Sequence, residues 1–241
     1  MTNPTEISAR YDLTNEIFNA IAKRYDRTNT LVSLGLDRLW QRKLIREVQK
    51  VPHSTILDLA CGTGTLTRKL GWLDGAQVTG LDPSESMLRV ANSRTPDGQD
   101  IIFQKGYAES LPLTDNSFQV ITISYGIRNF ADRNASFRHA LRVLEPGGQL
   151  FILEFSEKTE KGTGMALQRF YIRRILPLLG WLSTGEKEAY GYLRDSIASF
   201  PPPQSVCGEL ERAGFSRVAC RRLFPGIAVL YTGKKNGHDK L

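Results

Sequence analysis

The chain has 241 residues, of which 41% are hydrophobic and 24% are charged, and its formal net charge is +7. This composition is typical of one globular α/β domain with an elaboration, long enough to bury a core. Its three cysteines contain no CxxC pair, which argues against a disulfide framework or a cysteine-rich zinc site. We therefore expect no metal and a reducing, cytoplasmic location. The polar residues 1–10 and the short, proline-interrupted apolar run 175–182 predict neither a signal peptide nor a membrane span.

The first 50 residues are predicted to form an N-terminal helical cap, because no strand pattern precedes residue 54. Apolar residues recur at three- and four-residue intervals along 31–48, namely Leu36, Leu39, Trp40, Leu44 and Ile45. Such a helix serves either as a lid over a substrate or as a plain packing helix, and the sequence leaves both interpretations open.

Strands alternate with helices in the region 54–156. We predict strands at 56–59, 77–81, 101–104, 118–124 and 149–155, and helices at 65–73, 84–93 and 131–144. This alternation implies parallel strands joined by right-handed crossovers. We expect 54–156 to form a cofactor-binding core, 157–200 a helical insertion over the substrate site, and 204–233 a final helix and hairpin.

The last two predicted strands, 216–223 and 227–232, are separated by only three residues, which forces an antiparallel hairpin. A seven-stranded, mostly parallel sheet that closes on an antiparallel last strand is typical of class I, Rossmann-like methyltransferases rather than of dehydrogenases. We therefore predict a single α/β methyltransferase domain.

A Gly-x-Gly turn follows the first predicted strand and holds Gly62 and Gly64. A dinucleotide-binding turn needs a third glycine three residues later, where helix and strand pack closely beside a pyrophosphate. This sequence has Thr67 there. S-adenosylmethionine has no pyrophosphate, so we predict it as the cofactor, with the glycine backbone approaching its aminocarboxylate.

Further residues around this turn match the parts of S-adenosylmethionine. Asp58 is placed to attract the ammonium group, and Thr63 can add a hydroxyl. Asp82, at the end of the second strand, can accept both ribose hydroxyls. Met87 is suited to pack on the adenine face, and residues 108–109 to reach the adenine edge.

The fourth predicted strand ends at Ser124, so the segment 124–129 is expected to border the transferred methyl group. An Asn/Asp-Pro-Pro-aromatic sequence, which amino-methyltransferases of nucleic acids need here, is absent. No cysteine lies on this loop either, unlike in enzymes that methylate C5 of pyrimidines. We therefore predict no nucleic-acid partner, although a charge of +7 also suits an anionic membrane surface, an anionic substrate or a mildly basic enzyme.

Three segments of the chain resemble the ubiquinone/menaquinone biosynthesis C-methyltransferase family. The first reads Tyr25-Asp26-x-x-Asn29-x-x-Val32-Ser33 and is followed by Trp40. The second, 121–129, reads Ile-Thr-Ile-Ser-Tyr-Gly-Ile-Arg-Asn. The third, 142–156, reads Arg-Val-Leu-Glu-Pro-Gly-Gly-Gln-Leu-Phe-Ile-Leu-Glu-Phe-Ser. Shorter matches at 192–197 and 213–215 extend the resemblance through most of the chain.

The sequence departs from the family pattern at a few positions. Thr28 stands where methionine is usual, Asp37 where histidine is usual and Glu145 where lysine is usual. At two of the family's cofactor positions, Thr65 replaces an aspartate, and Tyr107 replaces an asparagine or aspartate.

The resemblance implies S-adenosylmethionine-dependent methylation of a ring carbon of a prenylated quinol. The S-adenosylmethionine positions that it implies are Thr63, Asp82, Tyr107, Ala108 and Ser124. Among the rings that the family methylates we expect demethylmenaquinol. The benzoquinol precursor of ubiquinone, another small acceptor, and a non-enzymatic cofactor-binding module remain as alternatives.

The implied reaction also suggests catalytic residues. A ring carbon becomes nucleophilic when the neighbouring hydroxyl ionises, and the pKa of a phenol is about 10, so the site must favour the phenolate. We expect Arg128 to stabilise the oxyanion as a fixed positive charge and Asn129 to orient the ring. Tyr25 can close over the site or relay a proton.

The predicted insertion suits a lipid substrate. Its segment 165–176 places Arg169, Arg173 and Arg174 among apolar residues. This pattern predicts either an interfacial helix that brings the protein into peripheral membrane contact or an ordinary half-buried helix. The sequence does not predict the oligomeric state.

Overall fold

One seven-stranded sheet forms the centre of the protein. The structure is a computed structural model that describes residues 30, 33, 35–156 and 187–237. The strands are β1 (Thr55–Leu59), β2 (Gln77–Asp82), β3 (Ile101–Lys105), β4 (Phe118–Ser124), β5 (Leu144–Phe155), β6 (Ser216–Leu223) and β7 (Ala228–Lys234). Their order across the sheet is β3-β2-β1-β4-β5-β7-β6. The pairs among β1 to β5 are parallel, whereas β7 pairs antiparallel with both β5 and β6.

The described helices connect these strands. They are α1 (Leu36–Val48), α2 (Thr65–Leu70), α3 (Glu85–Ser93), α4 (Arg133–Val143), α5 (Lys187–Ser199) and α6 (Pro203–Arg212). Two short 3-10 turns lie at Ala108–Ser110 and Ile127–Asn129. Side chains cap two of the helices: Ser84 accepts the Met87 amide at 3.2 Å, and Asp132 accepts the Ala135 amide at 3.0 Å. None of the described helices is long and apolar enough to cross a membrane.

The predicted architecture, a mostly parallel sheet with antiparallel last strands, is confirmed. Most predicted element bounds differ from the observed ones by one or two residues, and two differ more clearly. The helix expected over 65–73 ends at Leu70, and β5 begins at residue 144 rather than 149. Leu144 already pairs with Phe118, and regular pairing resumes at Gln149 after an irregularity. The Pro-Gly-Gly segment 146–148 is therefore a bulged part of the strand and not a loop.

The predicted division of the chain into four regions remains a prediction. Helix α1 lies in the predicted cap, and α5 lies in the predicted insertion 157–200. Residues 1–29 and 157–186, which include Tyr25 and the segment 165–176, lie outside the described residues.

Apolar side chains cover both faces of the sheet, so the domain has three layers. On β1, Ile56 joins the core on the side of α1 and α2, whereas Leu57 and Leu59 join the core on the side of α4 and α6. Residues of a strand point alternately to its two faces. Asp58 therefore lies on the same face as Ile56, and this places its carboxyl group beneath α2.

Helix α1 packs one face into this core. The side chains of Trp40, Leu44 and Val48 are fully buried, whereas Leu39 is 40% exposed. Leu39 is thus the one member of the predicted apolar set that lies away from the core, at the edge of the helix.

We expect Leu44→Ala to lower the free energy of unfolding by about 2–5 kcal/mol, because it removes a fully buried side chain from a close-packed interface. Leu39→Ala makes the same chemical change on the same helix at a largely exposed site. We expect it to cost no more than about 0.5 kcal/mol. Urea unfolding of both variants measures the difference, and equal losses would contradict the packing of α1.

Candidate active site

A cavity of about 490 Å³ lies at the carboxyl ends of β1, β2 and β4. Ligands of doubly wound sheets bind at this edge. Six of the predicted cofactor residues line it: Asp58, Gly62, Thr63, Asp82, Ala108 and Ser124. The sequence prediction thus selected residues from separate strands that the fold brings to one cavity.

Two other predicted cofactor residues, Gly64 and Tyr107, are not among the described residues that line this cavity. Gly64 begins α2 with a left-handed backbone (φ 72°), and an added Cβ would lie 2.9 Å from both Arg68 Nη1 and Phe103 Cζ. A side chain at position 64 would collide with these two residues, so the packing requires glycine there. Tyr107 precedes the 3-10 turn at Ala108–Ser110. Direct ligand contacts of these two residues remain predictions.

Gly62 has the more direct relation to the cavity. Its backbone is also left-handed (φ 55°), and an added Cβ would meet no protein atom within 4 Å. Gly62 lines the cavity, so its bare backbone allows close approach of a ligand, which is the role expected of it.

Asp58 is the most buried acid of the cavity, at 1% exposed. Its Oδ2 accepts a hydrogen bond from the Thr67 hydroxyl at 2.6 Å, and its Oδ1 accepts one from the Thr122 hydroxyl at 2.7 Å. Thr122 is its register partner on β4, and Thr67 lies on α2 above it. Burial raises the pKa of Asp58 to about 6, although both hydroxyls favour the ionised form and act in the opposite direction.

The two threonines were not recognised as site residues from the sequence. Thr67 was interpreted only as the absence of a third glycine, and nothing marked Thr122 within an apolar strand. The signal for Thr67 was its position nine residues after a strand-end acid, on the helix that must pack over that acid.

Asp82 joins the glycine turn to β2. Its Oδ2 accepts the Gly62 amide at 2.8 Å and its Oδ1 accepts the Ser84 amide at 2.9 Å. A carboxylate has about four acceptor sites, so each oxygen can still accept a hydroxyl. Burial raises the pKa of Asp82 to about 6 as well. The residue is 7% exposed and lines the cavity, as a partner for a diol must.

These residues fit S-adenosylmethionine. One cavity presents a carboxylate for an ammonium group at Asp58, a second carboxylate for a diol at Asp82, and open backbone at Gly62. Met87, which is 2% exposed, adds an apolar wall suited to adenine. The buried carboxylate of Asp58 would repel a pyrophosphate, which agrees with the absence of a third glycine.

Ser124 and Asn129 line the same cavity at the end of β4. The Ser124 hydroxyl is buried and makes no hydrogen bond with any described residue. Asn129 Oδ1 accepts a hydrogen bond from the Tyr192 hydroxyl of α5 at 3.1 Å. This contact orients the amide, and the sequence alone did not reveal it because the two residues lie 63 positions apart.

Arg128 has a different environment from the one expected. Its side chain is 4% exposed and is not among the described residues that line the cavity. Its Nη1 lies 2.8 Å from Oε1 of the fully buried Glu154 and donates to the Tyr125 carbonyl at 2.5 Å. Its guanidinium also lies 5.9 Å from the centre of the Phe155 ring. A carboxylate thus balances the charge that was predicted to face an oxyanion, and the oxyanion role itself remains a prediction.

Helix α1 covers part of the cavity with a polar edge. Asp37, Arg38, Gln41 and Arg42 line the cavity, and Lys69 of α2 donates to Gln41 Oε1 at 2.5 Å. One face of this helix packs into the core, as the packing interpretation expects, and an adjoining edge lines the cavity, whereas a role as a substrate lid remains a prediction. Among the described residues, no group of three or more His, Cys, Asp or Glu side chains could hold a metal ion.

We expect the affinity for S-adenosylmethionine to fall as the pH is lowered through about 6, because protonated Asp58 no longer attracts an ammonium group. Thr67→Val removes a hydroxyl that favours the ionised form, so the fall should begin at a higher pH. Isothermal titration between about pH 5 and pH 8 measures both curves. Because Thr67 does not contact Asp82, superimposable curves would mean that Asp58 does not hold the cofactor.

Comparison with known proteins supports the sequence resemblance. The model of the ubiE/COQ5 methyltransferase family matches residues 6–235. The ubiquinone/menaquinone biosynthesis C-methyltransferase UbiE of Shewanella sediminis is 37% identical, over 95% of this chain and 93% of its own length. The demethylmenaquinone methyltransferase of Desulfitobacterium hafniense is 36% identical, over 91% of this chain and 88% of its own length.

Solved structures of methyltransferases share the fold. A possible histamine N-methyltransferase from Thermotoga maritima superimposes with a TM-score of 0.64 at 21% identity, over 92% of this chain and 99% of its own. The phosphoethanolamine N-methyltransferase 2 of Haemonchus contortus, in complex with S-adenosyl-L-methionine, gives 0.61 at 14% identity, over 81% and 52%. The predicted class I fold is thereby confirmed, and the chain belongs to the ubiE/COQ5 methyltransferase family.

Proposed function

We propose that this chain transfers the methyl group of S-adenosylmethionine to a ring carbon of demethylmenaquinol, a prenylated naphthoquinol. One observation carries the proposal: a single cavity is lined both by the carboxylates of Asp58 and Asp82 and by Ser124 and Asn129 at the end of β4. The names of both relatives mention menaquinone, whereas only one of the two names mentions ubiquinone. The benzoquinol precursor of ubiquinone is therefore the second candidate.

Bound S-adenosylmethionine supplies a methyl group on a sulfonium, which is already an activated leaving group. The chain's own residues have to align the ring carbon, favour the phenolate and exclude water. In this proposal, residues at the β4 end of the cavity serve the first two tasks, and the edge of α1 that lines the cavity serves the third.

We propose Asn129 as the group that contacts the ring oxygen. Its Oδ1 already accepts the Tyr192 hydroxyl, so its NH₂ group is the part of the amide that remains to donate to a phenolate. A fixed amide donor at a developing oxyanion is an established means of lowering a barrier. Ser124, whose hydroxyl has no hydrogen-bond partner among the described residues, can donate from the same strand end.

Arg128 then acts as a positioning residue. Its contacts with Glu154 and with the Tyr125 carbonyl join β5 to the turn that carries Asn129. Tyr125 has a left-handed backbone (φ 61°), a conformation that is strained for a non-glycine residue and needs support from its surroundings. The role proposed for Tyr25, closing over the site or relaying a proton, rests on the family resemblance, because that residue lies outside the described part.

A prenylated acceptor resides in a membrane, so we also propose that the protein makes peripheral contact with one. The segment 165–176, which the sequence suggested for this contact, lies outside the described residues.

The purified chain should convert demethylmenaquinol to menaquinol and S-adenosylmethionine to S-adenosylhomocysteine. Mass spectrometry of parallel reactions with demethylmenaquinol, the benzoquinol precursor and an unprenylated quinol measures the preference. Faster turnover of the benzoquinol would overturn the choice of ring. If no quinol consumed S-adenosylmethionine, a non-enzymatic module would be the better account.

We expect Asn129→Ala to lower kcat by about 10²–10³ while leaving the affinity for S-adenosylmethionine unchanged, because it removes a donor to the oxyanion. Tyr192→Phe removes only the hydrogen bond that orients the amide, so this variant should lose less of its kcat than Asn129→Ala. Steady-state kinetics and cofactor titration of both variants provide the measurement. An Asn129→Ala enzyme with normal kcat would exclude this residue from the reaction.

A further inference from the structure

Exposed basic and apolar side chains of α1 and of the turn between β6 and β7 form a surface. We call it the α1–hairpin surface and define it by five residues: Arg38, Leu39, Arg42, Arg46 and Phe224. The first four lie along α1, and Phe224 lies in the turn between β6 and β7.

The sheet topology places this turn at the same edge as the cavity. β7 runs antiparallel to β5, and Ala228 at its start pairs with Phe155 at the end of β5. The turn that precedes Ala228 therefore lies at the carboxyl ends of the parallel strands. The Trp40 indole N–H donates to the Phe224 carbonyl at 2.8 Å, which joins the turn to α1.

The exposed groups of this surface have no described partner. Phe224 is 76% exposed and Leu39 is 40% exposed. The three arginines are spaced four residues apart on one exposed side of α1, and none forms an ion pair with a described residue. Arg38 and Arg42 also line the cavity. Two cations that form no ion pair with a described residue thus line the cavity, and the exposed Phe224 ring lies in a turn at the same edge of the sheet.

We propose that the α1–hairpin surface docks on an anionic lipid bilayer. This inference rests on the proposed function, because a prenylated quinol enters the cavity from the membrane that dissolves its tail. Cations along one side of a helix are attracted to anionic headgroups, and neighbouring apolar side chains insert at the acyl boundary. The chain's net charge of +7 adds to this attraction. The docked orientation directs the cavity toward the bilayer.

Two variants and two matched controls test the surface. Phe224→Ser removes the exposed ring but leaves the carbonyl that binds Trp40. Its control is Trp72→Ser, because Trp72 is 71% exposed and follows α2 at the opposite, amino edge of the sheet. Arg46→Glu reverses a charge on the surface without altering the cavity lining. Its control is Arg138→Glu, which makes the same change in net charge on α4, across the sheet.

Flotation with vesicles of phosphatidylglycerol and phosphatidylcholine provides the measurement. We expect the unmodified protein to bind, Phe224→Ser and Arg46→Glu to bind on the order of tenfold more weakly, and both controls to bind normally. No binding by the unmodified protein at low salt, or equal losses in variants and controls, would overturn the proposal. Equal binding to pure phosphatidylcholine vesicles would overturn the role of the arginines.

Turnover separates this proposal from the proposed function. With a short-chain, water-soluble quinol, Phe224→Ser should turn over at the unmodified rate, whereas with a long-chain quinol in anionic vesicles it should be slower. Equal rates in vesicles would overturn docking and leave the methyltransferase function intact. Absence of turnover with both quinols would overturn the proposed function, and the flotation result would still decide the docking.

Discussion

The burial of the Asp58 carboxylate is the constraint on which the rest of the site depends. A carboxylate away from water is costly unless it is hydrogen-bonded and paired. Thr67 and Thr122 supply two hydroxyls, yet the pKa of Asp58 remains raised to about 6, so its ionised form is incompletely stabilised. A bound ammonium group would provide the missing positive charge. In the proposed binding mode, a cationic ligand therefore completes the cofactor end of the cavity.

At the acceptor end of the cavity, the protein itself supplies the counter-charge for a buried ionised side chain. There Glu154 balances the buried charge of Arg128. In the proposed function, the quinol ring lies against the neutral groups of Ser124, Tyr125 and Asn129, which line the cavity. A neutral, polar wall suits a quinol ring, which carries negative charge only when one hydroxyl ionises. This contrast between the two ends would allow one cavity to accommodate both a charged cofactor and an apolar acceptor.

The sequence was sufficient to predict the mostly parallel sheet with an antiparallel last strand, the glycine turn and the two strand-end acids, because these features depend on local patterns of apolar residues and on fixed spacings. It was insufficient for the contacts that give the acids and the loop their properties. Thr122 reaches Asp58 across 64 residues, and Tyr192 reaches Asn129 across 63. The environment of Arg128 was also missed, because Glu154 lies in a long apolar strand and pairs with it only after the sheet has formed. Tertiary pairing of polar groups leaves no periodic trace in a single sequence.

A crystal structure with S-adenosylhomocysteine would show whether one cavity holds the cofactor between Asp58 and Asp82 and leaves room for the methyl acceptor beside the end of β4. We expect its ribose hydroxyls to contact Asp82, its amino group to lie on the side of Asp58, and its sulfur to face the segment 124–129. A nucleoside bound with its ribose away from Asp82, or with its sulfur directed away from Asn129, would exclude this arrangement.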